Sequence, residues 1–145
     1  MVDSLAEPLL AVDRVSCWFG GLKAVDGASL TAPPDRITAL IGPNGAGKTT
    51  LFSIISGFVR AREGAIRYAG QDITGKPPHE LARLGIARTF QIVQPFVGLS
   101  ARENILVGAH LHHRARAAAL AVAAQDGRDH GLTAMLDRPA DLLTV

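Results

Sequence analysis

Apolar and polar positions along the chain fall into short runs of two different periods. Leu9 to Val15 reads as a strand ending in Cys17-Trp18-Phe19-Gly20-Gly21, and Leu22 to Ala32 as a second strand with interrupted alternation. Pro33-Pro34-Asp35-Arg36 is turn chemistry. It leads into a short apolar run of Ile37, Ala39, Leu40 and Ile41, which predicts a buried strand. The period then changes. Leu51, Ile54, Ile55 and Phe58 recur at i, i+3, i+4 and i+7, the spacing of one helical stripe, with Gly57 as the stop. Gly64 to Ile73, with Ile66 and Tyr68 in alternation and then Gly70, predicts a further strand. Pro77-Pro78 opens a short helix through Leu84, because proline is tolerated in a first turn, and Gly85 ends it. Ile86 to Phe90 predicts a strand that delivers Gln91 at its end. Ser100-Ala101-Arg102-Glu103 is a capping box, so a helix begins there and continues through Ile105, Leu106 and Ala109. Strands and helices together read as an α/β fold, with a small β layer beside a main sheet.

Between the predicted buried strand and the helical stripe stands Gly42-Pro43-Asn44-Gly45-Ala46-Gly47-Lys48-Thr49-Thr50. It fits G-x-x-x-x-G-K-[ST], and the strand before and helix after are the context that this phosphate-binding motif needs. Glycines at 42, 45 and 47 are expected to adopt backbone conformations that a Cβ would forbid, turning successive N–H groups inward as an anion nest. A helix starting near Lys48 adds its unpaired N-terminal N–H groups and the positive end of its dipole. Lys48 is expected to reach the β and γ phosphates of a nucleotide, and the Thr49 hydroxyl to ligate Mg²⁺.

Composition narrows the class. The chain has 145 residues, 48% hydrophobic and 19% charged, which suits one soluble α/β domain. A net charge of +2, without a basic stripe interleaved with aromatics, argues against nucleic acid as a partner. The single cysteine, Cys17, rules out an intramolecular disulfide and suits the cytoplasm. Met1 to Pro8 carries acids and no apolar core, unlike a signal peptide, and no apolar run reaches the roughly 18 residues of a membrane span. Trp18 and Phe19 have two readings, packing at a strand end or a stacking platform for a base.

Five stretches together resemble the ATP-binding subunit of an ABC transporter, and more narrowly the branched-chain amino acid importer ATPases. They are Phe19-Gly20-Gly21-Leu22-Lys23-Ala24-Val25, the loop from Gly42 to Thr50, Gly70-Gln71-Asp72-Ile73-Thr74, Leu84-Gly85-Ile86-Ala87-Arg88-Thr89-Phe90-Gln91 and Glu103-Asn104. The resemblance implies a P-loop NTPase of ABC type, here its N-terminal portion, with an antiparallel β layer beside an incomplete core sheet. It implies ATP and Mg²⁺ as cofactors, with Phe19 stacking on adenine in preference to Trp18 and with Gly42, Pro43, Asn44, Gly45, Ala46, Gly47, Lys48, Thr49 and Thr50 around the phosphates. Gln91 matches the family's glutamine loop, which helps hold Mg²⁺ and the attacking water and touches the membrane subunit. A carboxamide suits that work because it both accepts and donates hydrogen bonds without adding charge.

The resemblance also implies segments that the residues do not supply: a Leu-Ser-Gly-Gly-Gln signature, an apolar strand ending in Asp-Glu and a switch histidine. His110, His112 and His113 read as a solvated face, and Asp137 and Asp141 flank a proline in a polar stretch. The expectation is a truncated subunit. Its parts are a tail (1–8), the N-terminal part of an ABC ATP-binding domain (9–110) and an Ala-rich helical or irregular tail (111–145). Loss of the acidic strand is expected to leave Ile37 to Ile41 with an unpaired edge, and the chain to bind nucleotide without turning it over. The implied partners are membrane-spanning permease subunits, met through the Gln91 region, and a second ATP-binding subunit. The implied location is the cytoplasm, peripheral on the inner face of the cell membrane. Two other readings stay open: a non-catalytic nucleotide-binding remnant, and a different P-loop enzyme such as a small kinase.

Overall fold

Strand β1 (Leu10–Phe19) is the middle of the sheet. It pairs antiparallel with β2 (Leu22–Ala32) on one side and β3 (Glu63–Tyr68) on the other, and β3 turns into β4 (Gln71–Asp72), giving the order β2-β1-β3-β4. The computed structural model describes residues 7–143. The expected antiparallel layer is therefore present, with one strand divided in two. Gly64 to Ile73 is not a single strand but a hairpin, because Ala69 and Gly70 both take positive φ and reverse the chain. The interrupted alternation also has a cause. Pairing shifts register between Val12 and Val15 and again between Val15 and Cys17, so Val15, Ser16 and Cys17 are all buried in succession. The buried Ser16 hydroxyl is satisfied, accepting from the Gly27 N–H at 2.9 Å.

Helix α1 (Lys48–Ile55) and helix α2 (Pro78–Arg83) cover this sheet. Leu51 and Ile54 of α1 and Leu81 of α2 join Val12, Val15, Cys17, Val25, Ile66 and Ile73 in one core cluster. Of the predicted helical stripe, Leu51 and Ile54 are buried and Ile55 packs at the edge, while Phe58 lies beyond the helix and is exposed. A six-residue helix is marginal alone. Its exposed Lys76–Glu80 pair adds about 0.3–0.5 kcal/mol, whereas burying Leu81 contributes about 2 kcal/mol, so packing holds α2.

Two predicted strands do not form. Ile37 to Ile41 is irregular and pairs with no strand, with Ile37 100% and Ile41 90% exposed, so the buried strand is replaced by a bare apolar segment. An apolar run becomes a strand only where another strand accepts its hydrogen bonds, and none among the described residues does so. The same reason removes the strand at Ile86 to Phe90. With no strand there, the unpaired sheet edge expected for Ile37 to Ile41 does not form among the described residues, and the segment is an exposed apolar stretch instead. Nearby, an apolar recess of about 430 Å³ opens between Leu10, Phe52, Ile55, Tyr68 and Ile86, walled also by Asp35 and Arg36.

The chain divides into two compact units, residues 1–88 and 89–145. In the second, α3 (Ala101–Ala109) packs on α4 (Arg116–Asp129) through Leu106, Ala119 and Ala123, where alanines let the helices approach closely. Two single-turn 3₁₀ segments, Thr133–Met135 and Ala140–Leu142, follow. The chain then returns along the start of α3, with Ala101 N–H donating to Arg138 O at 2.9 Å and Arg102 N–H to Leu136 O at 2.8 Å. Arg102 grips Asp137 with two hydrogen bonds, at 2.8 and 3.2 Å. The histidines sit at the end of α3 and in the turn after it rather than on the Ala-rich helix, and the His110 ring Nδ1 is 3.1 Å from the His113 carbonyl.

The capping box at α3 closes in both directions. Ser100 Oγ accepts from Glu103 N–H at 3.2 Å, and the Glu103 carboxylate accepts from Ser100 N–H at 2.8 Å and from its hydroxyl at 2.8 Å. Those bonds, backbone first, hold the Glu103 carboxyl below the ordinary glutamate value. A depressed pKa gives stability that is full above the unfolded value and lost as pH falls through the folded one. Thermal melts between about pH 3 and about pH 6 are therefore expected to show wild type losing its advantage over Glu103→Gln on acidification. A difference that stays constant across that range would contradict the cap's charge dependence. A second expectation concerns the bare segment. Ile37→Thr with Ile41→Thr is expected to leave stability within about 0.5 kcal/mol, since both side chains are already in water, while slowing aggregation measured by light scattering.

Candidate nucleotide site

The loop from Gly42 to Thr50 begins as extended chain and turns at Asn44–Gly45, where Ala46 N–H reaches Pro43 O at 3.3 Å. Gly45 and Gly47 take φ of +83° and +81°, in the left-handed region that favours glycine. Gly42 does not, and a Cβ there would meet only Ala46 and Lys48 at 3.7 and 3.9 Å, so the expected need for glycine holds at two of the three positions. Gly47 has a further reason. A Cβ there would lie 2.2 Å from the Ala24 carbonyl oxygen of β2 and 3.3 Å from Val25, so the loop rests directly on the hairpin.

Gly47 is also the N-cap of α1, and no side chain caps that helix. The first intrahelical bond is Leu51 N–H to Gly47 O at 2.8 Å, which leaves the N–H groups of Lys48, Thr49 and Thr50 ahead of it without intrahelical acceptors. Helix α3 is the internal contrast. Its Ala101, Arg102 and Glu103 N–H groups are all taken by Arg138 O, Leu136 O and Ser100 Oγ. One helix start is closed by the protein, and the other is open to an acceptor from outside.

Lys48 Nζ folds back across the loop and donates to Gly42 O at 2.7 Å and Pro43 O at 2.6 Å. These are uncharged acceptors, so a phosphate oxygen would be the stronger partner for the ammonium. Thr49 is exposed at the first turn, where its hydroxyl is free to meet a cation beside bound phosphates. Phe19 stands at the end of β1, 53% exposed, on the same hairpin that carries Ala24. Trp18, one residue before, is half-buried, with Gly20, Gly21, Lys23 and Glu63 around the adjoining recess. Gln91 is exposed in irregular chain of the second unit, not at a strand end, and within the first unit the loop meets the hairpin that carries Phe19.

The family described as ABC transporter matches residues 25–141. The chain belongs to the ABC transporter family. Among curated relatives, it is 48% identical over 99 residues to a probable branched-chain amino acid transport ATP-binding protein, LivG, of Archaeoglobus fulgidus, covering 68% of this chain and 38% of that one. It is 44% identical over 108 residues to the high-affinity branched-chain amino acid transport ATP-binding protein BraF of Pseudomonas aeruginosa, covering 74% and 42%. A nucleotide-free ATP-binding cassette from an ABC transporter superposes with a TM-score of 0.81 at 33% identity, over 94% of this chain and 59% of that one. The chain thus spans about two fifths of the length of the curated relatives that it matches.

Two residues beside the loop, Ser53 and Arg88, have no role assigned from the sequence. Ser53 Oγ donates to Thr49 O at 2.8 Å and accepts from Arg88 Nη1 at 2.8 Å. Only the fold reveals this, since 35 residues separate the two side chains.

The glycines provide a graded test. Gly47→Ala is expected to cost about 2–4 kcal/mol from the clash with Ala24 O plus the positive φ. Gly45→Ala, with open space around it, is expected to cost about 1–2 kcal/mol from φ alone, and Gly42→Ala less than about 0.5 kcal/mol. Denaturant melts of the three variants check the order, and equal losses would overturn the account of the loop.

Proposed function

We propose that this chain supplies the phosphate-binding part of an ATP-binding cassette, holding Mg-ATP at the loop from Gly42 to Thr50. The observation that carries the reading is the uncapped start of α1, with its donors and Lys48 available to an anion while the equivalent donors of α3 are filled. In this reading the Lys48 ammonium leaves the Gly42 and Pro43 carbonyls for the β and γ phosphates. The N–H groups of Gly45, Gly47, Lys48, Thr49 and Thr50 line the phosphate chain, with Pro43, Asn44 and Ala46 shaping the turn. The Thr49 hydroxyl and Gln91 would hold the Mg²⁺, which would neutralise phosphate charge. Phe19 offers its exposed ring to the adenine.

Gln91 is also assigned the positioning of attacking water. The sequence contains no apolar run ending in adjacent carboxylates to act as base, so the reading is binding without turnover by residues 1–145 alone. The names of the relatives support branched-chain amino acid import as the process served. Membrane-spanning permease subunits then dock at the Gln91 region, where Ile92, Val93, Phe96 and Val97 are exposed, and a second ATP-binding subunit completes the assembly. No helix among the described residues is long and apolar enough to cross a membrane. Docking on those partners would place the chain at the inner face of the cell membrane.

Titration of the chain with Mg-ATP, followed by thermal melting and phosphate release, tests the reading. Saturable stabilisation is expected, about 2.7 kcal/mol at a hundredfold excess over Kd, without release. Lys48→Ala is expected to weaken binding by about tenfold to a hundredfold, the worth of a charge-assisted bond. A folded chain with no stabilisation would overturn nucleotide binding, and release sensitive to Lys48 would overturn the absence of turnover.

A further inference from the structure

We propose that Ser53 and Arg88 form a positioning relay that ties the first turn of α1 to the segment beginning at Thr89, on which Gln91 lies. This rests on the nucleotide-binding reading above. A serine hydroxyl has one proton, and Ser53 gives it to Thr49 O at 2.8 Å, so toward Arg88 it can only accept. The relay therefore has a fixed direction, from the Arg88 guanidinium through Ser53 to the backbone of Thr49. Arg88 is anchored at more than one point. The same nitrogen lies 3.4 Å from the Ser56 hydroxyl, at the C-cap of α1, and the guanidinium stands 6.0 Å from the centre of the Phe58 ring. That end of α1 carries the negative pole of the helix dipole, which favours a cation there, while the opposite end is the open anion site.

Arg88 is the last residue of the first unit, three residues before Gln91. An anion drawn onto the Thr49 and Thr50 N–H groups loads the first turn of α1, and the Thr49 carbonyl moves with that turn. Ser53 follows the carbonyl and Arg88 follows Ser53, so the point from which the chain departs toward Gln91 reports the occupancy of the loop. Lysine puts a point charge on a flexible stem in place of the planar guanidinium that stands over the Phe58 ring, so it does not hold the same position.

The test is amide hydrogen exchange across Thr89–Gln94, with and without saturating Mg-ADP as the probe, in wild type, Ser53→Ala, Arg88→Gln, Arg88→Lys and the Ser53→Ala/Arg88→Gln double variant. In wild type, Mg-ADP is expected to slow exchange in this segment by about threefold or more. Both single variants and the double variant are expected to bind Mg-ADP yet lose that slowing, the double no further than either single, as for groups that act as one unit. Arg88→Lys is expected not to restore it. Slowing that persists in Arg88→Gln or Ser53→Ala, or losses that add, would overturn the relay while leaving nucleotide binding intact. If Arg88→Gln unfolds, Ser53→Ala, which keeps a good helix former in α1, decides. Absence of Mg-ADP binding in folded wild type would overturn the nucleotide reading and the relay together.

Discussion

The contact on which the site depends is the approach of Gly47 to the Ala24 carbonyl. It sets the start of α1 against the β1–β2 hairpin closely enough that no side chain fits between them. The consequences run in both directions along the chain. Toward the N-terminus, the contact joins the loop to the strand pair that carries Phe19. Toward the C-terminus, it launches α1 so that Leu51 and Ile54 enter the core beside Val25 and Ile66. A glycine that is both N-cap and contact point also leaves the helix without a capping side chain, and this is what keeps its first N–H groups open.

The two units manage their helix starts in opposite ways. Helix α3 has a serine N-cap, a glutamate three residues on and a returning backbone that together fill the first-turn donors. Such an arrangement stabilises a helix and excludes a ligand. Helix α1 forgoes that stabilisation, and burial of Leu51 and Ile54 compensates at about 2 kcal/mol per side chain. A bound polyphosphate would add the missing acceptors. Stability and the proposed binding are thus linked at α1 and separate at α3.

The apolar run before the loop shows the limit of local pattern. Ile37 to Ile41 has the residue types of a buried strand, yet both isoleucines stand in water, because a strand is a relation between two segments rather than a property of one. An exposed isoleucine pair on chain that pairs with no strand favours association. The family's solved cassettes are longer than this chain, which covers 59% of one of them.

Features set by neighbours in sequence were legible from the residues alone. The start of α1 after Gly47, the capping box, the proline-opened helix and the β2 strand each depend on groups within a few positions of one another, and each is found where the pattern put it. The ABC family was legible too, since the Gly-Pro-Asn-Gly-Ala-Gly-Lys-Thr-Thr loop and four accompanying stretches carry it. Tertiary structure decided what needs a partner from afar: the loss of the two apolar strands, the split of Gly64 to Ile73 into a hairpin, and the Ser53–Arg88 bond across 35 residues. It also decided which glycines are required, because residue type shows only that a left-handed φ is allowed. Whether a carbonyl stands 2.2 Å from the missing Cβ is a fact of packing.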